Sequence, residues 1–149
     1  LDDNRRITTS KFRPNNIVII KQEKYMKTAQ DFLKEANEIV EKIDTLDAIK
    51  KHGSDETIFI DVRDSGDIQK TGTIKDALTI PRGFIEFAAD DQTPYFNTKL
   101  NKNSEIILVC GAGGQAALSG KTLIEMGYNN VKNVGGIGDW EKNNGPMDK

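Results

Sequence analysis

The chain has 149 residues, of which 36% are hydrophobic and 30% charged, with a formal charge of −2. That size and balance predict one soluble domain around a single core, large enough to need neither metal nor disulfide staples. Near-neutral charge with 7% aromatic residues argues against a nucleic-acid partner, and one histidine (His52) with one cysteine (Cys110) excludes a Cys/His zinc site and an internal disulfide.

Residues 1–25 hold six Lys/Arg against three Asp/Glu, a net of +3, whereas the remaining 124 residues carry −5. With no sustained helical or alternating period before Met26, the shift divides the chain into a flexible N-terminal extension, 1–25, and a folded domain, 26–149. A processed leader, a mis-set start or, on charge alone, a basic arm for an acidic partner are the alternatives for this extension. Its longest apolar run, Ile17 to Ile20, is four residues. That is short of a signal-peptide core or of the ~20 residues of a membrane span, so the chain reads as cytoplasmic, with no membrane partner and a reduced thiol.

From Thr28, as N-cap, the positions Ala29, Phe32, Leu33 and Ala36 predict an amphipathic helix. A short strand follows at Ile39–Ile43, then a helix capped by Thr45 and ended by Gly53, with a structural His52 in its last turn. The apolar stretch Thr57–Val62 reads as a strand covered on both faces. A loop rich in Asp, Ser and Gly leads to a strand at Ala77–Ile80, ended by Pro81. Gly83–Ala89 reads as a brief helix with Phe84 and Phe87 inward, and 90–104 as a surface connection. Glu105–Val109 is a second central strand, Gln115–Met126 a helix stopped by Gly127, and Val131–Val134 the last strand. Strands alternating with helices predict a doubly wound parallel α/β sheet with helices on both faces.

Ligands of such sheets bind at the carboxyl edge of the strands, which directs attention to the turn Cys110, Gly111, Ala112, Gly113, Gly114, Gln115. A loop almost free of side chains lets its N–H groups point at one anion, and the following helix adds its positive end. Cys110 opens this cup, where such dipoles favour thiolate and hence a nucleophilic sulfur.

Three other uses of the glycines fit less well. Gly111, Gly113 and Ala116 match G-x-G-x-x-A, but Val131–Gly138 lacks the acid expected about 20 residues on in a dinucleotide site. Gly120, Lys121 and Thr122 resemble a P-loop end, yet Gln115 stands where its first glycine belongs. A cysteine phosphatase needs an arginine after a five-residue loop to neutralise a phosphate dianion, and Ala116 is there.

Over about Thr45 to Met147 the chain resembles the rhodanese family of sulfurtransferases in its single-domain form. The resemblance is carried in order by Asp61-Val62-Arg63-Asp64, by Gly72-Thr73-Ile74 with Ala77, Ile80 and Pro81, by the loop Cys110–Gln115, by Gly127-Tyr128 with Val131, and by Gly135-Gly136 with Trp140. It implies a rhodanese-like fold whose Cys110 takes sulfane sulfur from a donor such as thiosulfate, becomes a persulfide and passes the sulfur on. The acceptor would be a thiol, a cyanide-like nucleophile or a carrier protein, with no cofactor and no metal. Gly111 and Gln115 stand where the family often places cations or Thr, and Thr73 replaces a usual histidine. An anionic donor would then rely on Arg82 or Arg63, although Arg63 is as well suited to a structural ion pair. Trp140 is expected to be a core anchor. A rhodanese-like binding or regulatory module without efficient turnover is the alternative.

Overall fold

The computed structural model describes residues 26–149. The expectations for 1–25 lie outside the described residues. The chain divides at Phe32/Leu33 into two units. Of the first, residues 26–32 carry the N-cap of helix α1 (Ala29–Ile39). Thr28 Oγ1 accepts from the Asp31 N–H at 3.2 Å and Asp31 Oδ2 from the Thr28 N–H at 2.8 Å, a reciprocal cap.

The second unit, 33–149, holds a five-stranded parallel sheet in the order β1-β6-β5-β2-β4. Its strands are β1 (Glu41–Lys42), β2 (Thr57–Asp61), β4 (Leu78–Thr79), β5 (Glu105–Cys110) and β6 (Val131–Gly136). A separate antiparallel pair joins β3 (Thr73–Ile74) to β7 (Met147–Asp148). The helices are α2 (Thr45–Lys51), α3 (Ser65–Thr71), α4 (Ile85–Ala89), α5 (Gly114–Glu125) and α6 (Ile137–Lys142), with a 3-10 turn at Arg82–Phe84. Among the described residues no helix is long and apolar enough to cross a membrane.

Every residue of β5 is buried, because alternate side chains serve two cores. Ile106, Leu108 and Cys110 pack with Ile60, Ile85 and Leu123, while Ile107 and Val109 pack with Phe59, Ile137 and Trp140. Helices α4 and α5 therefore cover one face of the sheet, and α2 and α6 the other. Trp140 is fully buried, edge-on to Phe59, and its Nε1 donates to the Pro146 carbonyl at 2.9 Å. His52 sits beside both rings, and its Nε2 lies 2.7 Å from the Lys75 carbonyl. Since a carbonyl only accepts, that nitrogen carries the proton.

Several local expectations are corrected. The segment after β2 is not a loop but helix α3, which buries none of its residues and so has no apolar stripe to betray it. The N-cap of α2 is Asp44 rather than Thr45, since Asp44 Oδ2 accepts from the Leu46 N–H at 3.0 Å. Phe84 and Phe87 do not point inward; they are 39% and 50% exposed. The 3-10 turn ahead of α4 shifts the helical phase, so Ile85, Ala88 and Ala89 face the core. At the surface Phe84 instead meets Phe87 and Tyr95, with ring centres 5.6 and 5.5 Å apart. Helix α6 and the two-residue strands β3 and β7 are additions to the predicted elements.

At the amino edge of the sheet, Glu105 is buried and accepts from Lys51 at 3.0 Å, from Lys132 at 2.5 Å and from the Thr57 hydroxyl at 3.1 Å. Burial acts to raise its pKa, but the hydrogen bonds and charge of Lys132 and Lys51 outweigh it, and the net shift is downward from 4.5. A depressed carboxylate pKa stabilises the fold above that ordinary value, and the contribution is lost as pH falls through the depressed one. Glu105→Gln is accordingly expected to lower unfolding free energy by about 2 kcal/mol at pH 7. In urea titrations the gap from the parent should shrink steadily below about pH 4.5.

Candidate active site

Strand β5 ends at Cys110 and helix α5 begins at Gly114, so three residues turn the chain. The turn is possible because Gly113, the N-cap, adopts φ +101°, a left-handed conformation that side chains disfavour. It brings the first-turn amides of α5, which have no carbonyl four residues back to bond, over the cysteine. Cys110 Sγ accepts from the Gly113 N–H at 3.0 Å and from the Ala116 N–H at 3.4 Å. The amides of Ala112, Gly114 and Gln115 have no acceptor among the described residues. Cys110 is 1% exposed, while Gly111, Ala112 and Gln115 are exposed. The result is a sulfur at a helix N-terminus, held by main-chain donors and bordered by others that remain available to negative charge.

The strand next to Cys110 is shaped to accept the loop. Gly136 pairs with Cys110 across the sheet, and a Cβ on Gly136 would lie 2.4 Å from the Gly111 carbonyl oxygen. Any side chain there would push the cup outward. The helix continues tightly packed: a Cβ on Gly120 would lie 2.9 Å from Val40, which gives that glycine a packing role in place of a phosphate-binding one.

Arg63 and Arg82 are placed quite differently. The Asp61 carboxylate, fully buried, accepts from the Arg63 backbone N–H at 3.0 Å, from Arg63 Nη2 at 2.8 Å and from the Thr73 hydroxyl at 2.7 Å. Arg63 also donates to the Thr71 hydroxyl and the Gly72 carbonyl, both at 2.9 Å, and its side chain is 5% exposed. Of the two roles expected for Arg63, donor contact or a structural ion pair, its observed bonds are those of the ion pair: the guanidinium is engaged in linking β2 to the start of β3. Thr73 completes that lock. Arg82 is exposed, and its side chain makes no hydrogen bond or ion pair among the described residues. The 3-10 turn that carries it packs against α5, the helix that forms the cup.

Three features escaped the sequence reading. The Ala116 amide was missed because the loop was counted to Gln115, although the four orphan amides of any helix start extend that far. Asn133 was read as part of a plain strand, yet it is buried, and its side-chain Nδ2 donates to the Gly113 carbonyl at 2.9 Å. An asparagine, a poor strand former, between Lys132 and Val134 and two residues ahead of Gly135-Gly136 was the available signal. Lys42 and Asn37 line a hollow of about 370 Å³ that also borders Gly113 and Gly114. No group of three or more His, Cys, Asp or Glu side chains able to hold a metal is found among the described residues.

Two substitutions test these roles. Arg63→Met, which strands a buried carboxylate, should cost about 3–5 kcal/mol in denaturant unfolding. Gly136→Ala should leave a folded chain whose Gly111, Ala112 and Gly113 amide resonances are displaced in ¹H–¹⁵N spectra, because its Cβ collides with the Gly111 carbonyl.

Comparison with known proteins follows the same lines. The profile of the family described as "Rhodanese-like domain" matches residues 35–143. Bacillus subtilis (strain 168) YrkF, named for a proposed role as a sulfur carrier protein, is 32% identical over 99 residues, covering 64% of this chain and 49% of that protein. The chain thus spans about half the length of this curated relative. A protein of unknown function from Rhodopseudomonas palustris, described as a possible tyrosine phosphatase, superposes with a TM-score of 0.78 at 30% identity, over 92% of this chain and all of that one. The polysulfide-sulfur transferase homodimer of Wolinella succinogenes gives a TM-score of 0.65 at 27% identity, over 85% of this chain and 90% of that one. With a parallel sheet of this order, a cysteine cup at the carboxyl edge of β5 and a family match over most of the described residues, the chain belongs to the rhodanese-like domain family.

Proposed function

We propose that the chain is a sulfurtransferase in which Cys110 carries sulfane sulfur as a persulfide. The observation that supports it is the pair of main-chain N–H groups on Cys110 Sγ at the start of α5. Such donors favour negative charge on sulfur without a proton shuttle, so neither His52 nor any other base is needed near the thiol. In the first half-reaction the Cys110 thiolate attacks the outer sulfur of a donor. Thiosulfate would lose sulfite, which departs with the electron pair of the broken S–S bond, and a polysulfide would leave one sulfur shorter. In the second, an acceptor thiolate or cyanide takes the outer sulfur and the Cys110 thiolate returns. Two transfers through one covalent intermediate give ping-pong kinetics.

The cup supplies donors but no cation, so an anionic donor is steered from outside it, and Arg82 is the side chain assigned to that role. The phosphatase description of the R. palustris neighbour does not carry over, because Ala116 stands where a phosphate dianion would need an arginine. A binding module is the second reading, favoured by the uncharged loop and the near-complete burial of Cys110.

Intact-mass measurement after incubation with thiosulfate or polysulfide separates the two. One added sulfur, absent in Cys110→Ser, is the expected result; no gain with either donor sinks the enzyme reading. Arg82→Ala should raise KM for thiosulfate about fivefold at most with little change in kcat, as befits an exposed cation. A change confined to kcat would remove Arg82 from donor binding.

A further inference from the structure

We propose that Asn133 is a positioning residue that aims the sulfur-binding amides. Its chemistry rests on the sulfur-transfer reading above; its geometry does not. Asn133 lies on β6, outside the loop, and is 5% exposed. Its Nδ2 donates to the Gly113 carbonyl at 2.9 Å, and its Oδ1 accepts from the Gly135 N–H at 2.8 Å. A backbone carbonyl only accepts and a backbone N–H only donates, so the two partners fix which way the amide points.

The link acts on a specific peptide plane. In a trans peptide the C=O of one residue and the N–H of the next point in opposite directions. Asn133 and the Ala117 N–H, the latter at 3.0 Å, together hold the Gly113 carbonyl on the helix side. The Gly114 N–H is thereby turned the other way, out of the N-terminus of α5, where it has no acceptor among the described residues. Gly113 itself donates to Cys110 Sγ, so the same residue is fixed at both ends.

The other half of the asparagine anchors this grip to the sheet. Register between β5 and β6 slips after Leu108, which faces Asn133, so that Val109 faces Gly135 and Val134 is the extra residue of a bulge. Bulges re-aim side chains beside sites, and here the Gly135 N–H freed by the irregularity is taken by Asn133 Oδ1. One planar group with a donor and an acceptor therefore ties a bulge to the cup. A leucine of similar shape offers neither, and an aspartate keeps the bulge link while setting a carboxylate oxygen against the Gly113 carbonyl.

That asymmetry defines the test. Asn133→Asp and Asn133→Leu would be compared with the parent by single-turnover sulfur uptake from polysulfide and by ¹H–¹⁵N spectra of the reduced protein. In both variants the expected result is a limiting rate constant for uptake about tenfold lower, with the half-saturating polysulfide concentration within about twofold, together with displaced Gly113, Gly114 and Ala116 amide resonances. In the aspartate variant the Gly135 resonance should stay near its parent position, while the melting temperature should fall because a buried carboxylate then faces the Gly113 carbonyl. Should the leucine variant fail to fold, the isosteric aspartate carries the test. Parent-like uptake and unmoved Gly113 and Gly114 resonances in a folded Asn133→Asp protein would overturn the proposal. If the parent itself takes up no sulfur, the sulfur-transfer reading fails, while the spectra still decide whether Asn133 holds the cup.

Discussion

A sulfur placed under the first turn of a helix, with backbone amides aimed at it, is the constraint around which this domain is organised. Backbone donors are suited to a large, soft anion because they bring fixed dipoles without a competing charge or a proton to manage. They also impose demands elsewhere. The strand that delivers Cys110 must end where α5 begins, the turn must accept a left-handed residue at Gly113, and the neighbouring strand must lack a side chain where Gly111 crosses it. Each demand is met by a particular residue, and the central position of β5, buried on both faces, supplies the rigidity.

The buried charges are arranged in the same spirit. Asp61 lies at the carboxyl end of β2, beside the strand that carries Cys110, and its carboxylate is saturated by Arg63 and Thr73. An arginine committed in this way stiffens the edge from which the site is built. At the opposite edge Glu105 plays the matching part with Lys51 and Lys132. The uncharged cup therefore shares the carboxyl edge of the sheet with one neutralised ion cluster, while the other lies at the amino edge.

What was legible in the sequence was local. The apolar runs of β2 and β5, the helical period after Gln115 and the glycine-rich turn at Cys110 are each written within a few neighbouring residues, and each appears in the structure near its expected bounds. Helix α3 was not legible because it buries nothing, and β3 with β7 was not because strands of two residues carry no period. The outward turn of Phe84 and Phe87 depends on one 3-10 turn that changes the phase of five residues. At the site, Arg63 reaches the Thr71 hydroxyl and the Gly72 carbonyl, eight and nine residues on, and the grip of Asn133 on Gly113 spans 20 residues. Such contacts exist only once the sheet has assembled.

The most direct measurement is a crystal structure of the chain after polysulfide treatment. A second sulfur bonded to Cys110 Sγ, within hydrogen-bond distance of amides between Gly111 and Ala116, is the predicted result. An unmodified Cys110, or an added sulfur turned away from those amides, would contradict the account.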